Sequence, residues 1–464
     1  MRQFIVILSL FVFTGAQSQL RLPALVSSGM VLQQQAVTRL HGWGGPGSWV
    51  KITTGWDDRT DSVKVSNLAQ WSLPVRTPAA GGPWSIRISN GGSEIVLEDV
   101  LIGEVWLCSG QSNMEWSYWQ GLKDIRAELP TALNRNIRLF HIAKTGSNTI
   151  QDDVKARWLV CDSTSLKDFS AVGYFFGKRL QAELKVPVGL INASWGGTPA
   201  ETWVPEALVN DDPQLREAAS KLSTFEWWPS ASGKAYNAMI APLTNHAIAG
   251  AIWYQGESNV GTHSTYRRLM ETLITSWRKA WARDFSFYLV QIAPYDYGNN
   301  LSAAFLREQQ AALQLFPKTG MVVVSDLVDN VKDIHPVNKH DVGYRLASLA
   351  MGHHYGLPLT GYRHPVFTRM EKDKSRLILH FDHAPDGLLI RGTKLEGLQL
   401  SGATENWVPA EGRIEKGRLV VWNRSLKSPE HVRFSFGNAT IGNLFSSGGL
   451  PVEPFRTDKW GGDK

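Results

Sequence analysis

Ser112 stands in the run SGQSNMEW, directly behind the apolar stretch EVWLC (104–108). A serine hydroxyl is a weak nucleophile until a base takes its proton and N–H groups receive the charge developing on the attacked carbonyl. A turn carrying Gly110, Gln111 and Asn113 after a buried strand would hold the hydroxyl clear of a sheet and free an N–H beside it. Taken alone, a serine in a polar loop is ordinary surface, and this one lacks the G-x-S-x-G elbow of the α/β-hydrolases. A base must come from elsewhere in the chain. Of 12 histidines, His335 is the best placed. It lies in DIHP (333–336), beyond the apolar run GMVVVSD (320–326) and just ahead of a helix-patterned segment. A lone histidine is more often a satisfied core or surface residue, so position alone raises this one. Asp333 is the nearest group that could orient its imidazole.

Two further loops have the same character. After PVGLINA (187–193) comes SWGGTPAETW, where Gly196 and Gly197 permit close backbone approach. They make either a plain tight turn or an N–H donor for an oxyanion. After AIWY comes QGESN (255–259). Here Gln255 or Asn259 could offer a side-chain N–H, and Glu257 a base or a buried orienting carboxylate. A surface loop is the plain alternative.

These loops share a cause. From about residue 100 to 354, apolar runs of strand length (104–108, 187–193, 249–255, 287–293, 320–326) alternate with helix-length segments (172–184, 266–282, 303–316, 339–351). Continuous apolar strands mean burial on both faces, as in a parallel sheet covered by helices. Such α/β sheets carry their chemistry in loops after the carboxyl ends of the strands. Before this region, residues 19–99 show short alternating runs (WVKITTGW, WSIRISN, SEIVLEDV) broken by GWGGPGS and PAAGGP, the pattern of a small β-sandwich-like domain. From 355 to 464 that texture returns (RLILHFD, RLVVWN, HVRFSFG), predicting a C-terminal β-rich domain.

Residues 1–18 read as a signal peptide: Arg2 supplies the positive start, Phe4 to Phe13 an apolar stretch too short to span a bilayer, and Ala16 and Ser18 a cleavage site. No other stretch suits a membrane span, so the expectation is export, to a periplasm or outside the cell. With 43% hydrophobic residues among 464, the chain is globular rather than disordered. Its formal charge of +6 is scattered, which argues against a nucleic-acid partner. Cys108 and Cys161 are the only cysteines. They are too few for a disulfide framework, although an exported chain could join them, and they give no case for a zinc site. The 19 tryptophans serve core packing or sugar-stacking platforms. FEWWPSASG (225–233) and SYWQGLKDI (117–125) are aromatic enough to be substrate walls. A non-catalytic carbohydrate-binding protein would suit the tryptophans and the flanking β regions, but leaves Ser112, Gln255 and His335 unexplained. The sequence says nothing of oligomeric state.

Together and in this order, GQSN (110–113), GGT (196–198), QGE (255–257) and DIHP (333–336) resemble the sialate O-acetylesterase-like branch of the SGNH (GDSL-type) hydrolases, related to acetyl xylan esterases. The likeness extends to GMVLQQ (29–34) and GGPWSI (81–86). It implies a flavodoxin-like three-layer α/β/α core and serine-dependent removal of acetyl groups from sugar hydroxyls, without metal or organic cofactor. The partner it implies is an acetylated sugar or glycan, a sialic acid or, alternatively, xylan. Residue by residue, Ser112 matches the nucleophile and His335 the general base. The Ser112 N–H, a glycine N–H of the GGT block and a polar side chain of the QGE block match the oxyanion hole. The third member is open. Many SGNH enzymes carry D-x-x-H, whereas here Lys332 holds that place and Asp333 stands nearer, with Glu257 as competitor and Asn113 as a further supporting residue.

Overall fold

The computed structural model describes residues 19–461; the signal-peptide reading of 1–18 lies outside them. The central sheet is mixed. Its strands are β1 (Glu94–Gly110), β2 (Asn134–His141), β3 (Trp158–Cys161), β4 (Val188–Ser194), β5 (Gly250–Tyr254), β6 (Ser286–Val290) and β7 (Thr319–Val322), in the spatial order 7-6-5-1-4-2-3. All neighbours run parallel except β2 and β3. The main helices are α1 (Ser112–Glu115), α2 (Ala171–Leu184), α3 (Tyr266–Ala280), α4 (Ser302–Ala312) and α5 (Lys339–His353).

Burial follows the period of two that a pleated strand imposes. Trp106, Cys108, Leu190, Ile252, Tyr254 and Tyr288 pack with buried residues of α2 and α5, such as Phe176 and Leu346. The alternate residues Leu107, Ile191, Ala251, Trp253 and Phe287 pack with Leu269, Leu273 and Trp277 of α3 and Leu306 of α4. Helix α3 buries Leu269, Met270, Leu273, Ile274 and Trp277, one face at helical spacing. Helix ends are capped by local chemistry: the Ser170 side chain accepts from Gly173 N–H at the start of α2, and Asn338 accepts from Asp341 N–H at the start of α5.

The first half of β1 pairs antiparallel with Gly81–Ser89, and Leu101–Gly103 pair in parallel with Val31–Gln33, while its second half runs between β4 and β5. One strand thus serves both the N-terminal β region and the central sheet, and residues 99 and 100 fall inside it. Buried Glu104 fastens the seam, accepting from Gln33 Nε2 (3.0 Å), Gln34 Nε2 (2.6 Å) and Tyr355 Oη (2.8 Å). At the other end of the chain, antiparallel strands between Val366 and Arg456 enclose their own apolar cluster around Leu379, Leu400, Leu419 and Phe434. They meet α4 through Arg456 and Glu308 (2.8 Å) and through Asn438, whose Oδ1 accepts from Ala303 N–H (3.0 Å).

Strands β2 and β3 are absent from the sequence reading. In NRNIRLFH the apolar stretch is interrupted by Arg138, which is buried because it forks onto Asp99 (2.7 and 3.0 Å). Both cysteines are free and buried, so no disulfide joins them; burial pushes the Cys161 thiol up to about 12. Among the described residues, no helix is long and apolar enough to cross a membrane, and no group of three His, Cys, Asp or Glu is arranged to hold a metal ion.

Candidate active site

After β1 the chain forms β2, β3 and β4 on one side of it and then β5, β6 and β7 on the other, so the carboxyl end of β1, between β4 and β5, is the switch point where open α/β sheets leave a crevice. Gly110 ends β1 with φ +133°, and a Cβ there would lie 2.2 Å from the Tyr254 carbonyl oxygen. Only glycine fits. The next residue, Gln111, donates its N–H to that carbonyl (3.0 Å), and Ser112 then opens α1.

Ser112 Oγ and His335 Nε2 are 2.8 Å apart. The imidazole stacks on Trp116 (centroids 4.3 Å, planes 21° apart), which fixes its plane. Asp333 Oδ1 accepts the His335 backbone N–H at 2.9 Å and lies 3.7 Å from ring Nδ1. Burial lowers the pKa of His335; the nearby Lys339 charge lowers it further and Asp333 opposes both. The imidazole is therefore neutral at neutral pH and able to take a proton from the serine.

Glu257 faces elsewhere. Its Oε1 accepts from Asn113 Nδ2 at 2.6 Å, and the same Nδ2 donates to the Ile334 carbonyl (3.1 Å). Asn113 Oδ1 accepts from Lys339 Nζ at 2.6 Å. Asn113 thereby ties the serine turn to the loop that carries His335. Lys339 is fully buried, and that burial pulls its pKa down to about 7 against the opposing charges of Glu257, Asp124 and Asp333. Glu257 is shifted upward by burial.

The expected oxyanion donors divide. The N–H groups of Ser112 and Gly197 make no hydrogen bond among the described residues. Gly196 lies against Ser112, but its N–H donates to Glu115 Oε2. Gln255 Nε2 donates to Asn259 Oδ1 (2.7 Å) and the Thr198 carbonyl (3.3 Å), and Asn259 Nδ2 to Glu201 Oε2 (2.9 Å). The side-chain donors expected from the QGESN loop, Gln255 and Asn259, are both buried and engaged in pinning that loop to the GGT loop. Gln111 does related work, its Oε1 accepting from Gly256 N–H (3.2 Å).

Sequence reasoning missed Lys339 and Trp116. Lys339 reads as an ordinary helix residue, and nothing in its neighbours signals burial. Trp116 is visible only as one aromatic among many; its spacing of four from Ser112, one helical turn, is the signal that could have found it.

A hydroxyl and an imidazole in contact at the switch point of such a sheet suit acyl transfer in general, and it is the family that the chain matches that narrows this to a class, the carboxylic ester hydrolases. The family described as carbohydrate esterase, sialic acid-specific acetylesterase matches residues 102–351, and the chain belongs to it. Sialate O-acetylesterases from Pongo abelii and Homo sapiens are each 30% identical over 388 residues, covering 76% of this chain and 74% of their own length. A solved carbohydrate acetylesterase from Xanthomonas citri is 34% identical with a TM-score of 0.87, over 95% of this chain and all of that one.

Proposed function

We propose that this chain is a serine esterase that removes O-acetyl groups from carbohydrates, with O-acetylated sialic acids as its substrates. The observation that carries the reading is the 2.8 Å contact of Ser112 Oγ with His335 Nε2. The names of the relatives supply the acyl group and the sugar. We read the core as flavodoxin-like, helices on both faces of the sheet making three layers, with a catalytic unit at 100–354 between β-rich regions at 19–99 and 355–464. Residues 1–18 would direct export, to a periplasm or the exterior.

The reaction runs in two halves. His335 Nε2 takes the Ser112 proton as Oγ bonds to the acetyl carbonyl carbon. The oxyanion lies against the Ser112 and Gly197 N–H groups. The carbon–oxygen bond to the sugar then breaks, and His335 returns its proton to the departing sugar hydroxyl. Water, deprotonated by the same imidazole, attacks the acetyl-enzyme and releases acetate and free serine. Asp333 orients His335 and favours its protonated form. Its backbone bond holds the carboxylate beside Nδ1, while Glu257 holds Asn113.

The test is acetate release from O-acetylated sialic acid beside acetylated xylo-oligosaccharide. Turnover of the first and little of the second is expected. Comparable rates on both would make this a broad sugar esterase, and near-normal activity in Ser112→Ala would sink the mechanism.

A further inference from the structure

On the glycine loop, whose Gly196 lies against Ser112, the chain leaves a cleft of about 280 Å³ whose lining includes Gly197, Ser258, Lys221, Phe225, Trp228 and Thr262. It begins at the oxyanion loop. The Ser258 hydroxyl donates to the Gly197 carbonyl (2.9 Å), and the Trp228 ring lies so close to Gly197 that a Cβ there would meet it at 2.4 Å. Gly197 has φ +80°, so its lack of a side chain serves both the backbone turn and the approach of the indole. Phe225 packs on Trp228, centroids 4.5 Å apart, and is itself 51% exposed. An aromatic wall is thus built into the site and left bare on its outer side.

The size decides how much it holds. Clefts for small ligands usually run from roughly 300 to 1,000 Å³. At about 280 Å³ this one suits a single sugar ring and not a run of them. Aromatic faces suit the apolar C–H faces of a pyranose, burying apolar surface at little entropic cost. Charge decides which sugar. Lys221 is the only charged residue of the lining. Its ammonium pairs with Glu217 at 2.9 Å, but both side chains are more than half exposed, and such a pair contributes little. A ligand carboxylate entering the cleft can take Glu217's place.

The geometry points to a subsite for the acidic sugar ring itself: Phe225 and Trp228 face the pyranose and Lys221 receives its carboxylate, while the acetyl group reaches Ser112 past Gly197. The inference rests on the proposed function and adds to it what distinguishes a carboxylated sugar from a neutral one.

The experiment uses the full chain and compares an O-acetylated sialic acid with the methyl ester of its carboxylate, p-nitrophenyl acetate turnover being measured on every variant. The wild-type enzyme is expected to favour the free acid in kcat/KM. Lys221→Gln should lower that acid-to-ester ratio about two- to fivefold, the range open to an exposed charge pair, and Lys221→Arg should restore most of it. Phe225→Ala should raise KM for both sugars together. An unchanged ratio in Lys221→Gln, or unchanged KM values in Phe225→Ala, overturns the subsite while leaving the esterase reading intact. Turnover of p-nitrophenyl acetate with neither sugar hydrolysed overturns both the subsite and the sugar substrate. Activity surviving in Ser112→Ala overturns the serine mechanism instead.

Discussion

The floor of the site and its outer wall are built in opposite ways. Beneath Ser112, polar groups are buried and engaged: Asn113 bridges Glu257, Lys339 and the Ile334 carbonyl, and Gln255 bonds Asn259, which in turn holds Glu201. Around residues 221–230 the side chains are mostly exposed, with Trp227 74% accessible, and Phe225 packs ring on ring with Trp228. A buried network costs free energy wherever a member is left unpaired, so it holds one geometry. An exposed aromatic loop can vary without that penalty. The floor therefore suits the invariant part of the reaction, acyl transfer, and the wall the part that differs between sugars.

The largest way to break this contrast is at Ser112, the proposed nucleophile. Ser112→Ala should lower kcat on p-nitrophenyl acetate and on sugar acetates alike by at least about 10⁴-fold, with the thermal midpoint retained. Gly197→Ala is next, because Gly197 belongs to floor and wall at once. A side chain at φ +80° with the Trp228 ring 2.4 Å away must displace the loop, and losing an oxyanion donor costs roughly 10²–10³ in kcat. Asp333→Ala should cost between about 10 and 10² in kcat/KM. Because Asp333 raises the His335 pKa, the acid limb of the pH profile should also move to lower pH. A loss within a few-fold would mean that the imidazole is oriented from elsewhere, the Trp116 stack included. The smallest expected effect is that of Lys339→Met: a loss of about tenfold or less through displacement of Asn113. Here the limb should move the other way, to higher pH, since Lys339 lowers the His335 pKa. Opposite movements in these two variants would sharpen the contrast, whereas no movement in Lys339→Met would separate the lysine from the chemistry.

Much of this arrangement is legible in the sequence, for one reason. Strands buried on both faces announce themselves as unbroken apolar runs, so the loops behind them can be located without coordinates. Ser112, the two glycines and His335 emerge that way, as do helices α2 to α5 within a few residues. Partnership is harder to see. Gln255 and Asn259 look like free donors because the groups that engage them, Thr198 and Glu201, come from the loop after another strand. Lys339 looks solvated because its burial depends on Trp116, Asn113 and Tyr254, which lie far from it in the chain. Strand β2 is hidden by Arg138, whose charge is answered by Asp99 from the far side of the boundary between the β-patterned and the alternating α/β stretches.

That boundary has a consequence for any shuffling of this chain with its relatives. The ribbon from Glu94 to Gly110 pairs with the N-terminal strands along its first part and lies in the middle of the parallel strands along its second, so no crossover point within it separates the front portion from the rest of the chain. A donor for the first hundred residues would have to bring matching registers on both sides of this ribbon, or the turn that presents Ser112 would inherit the misfit.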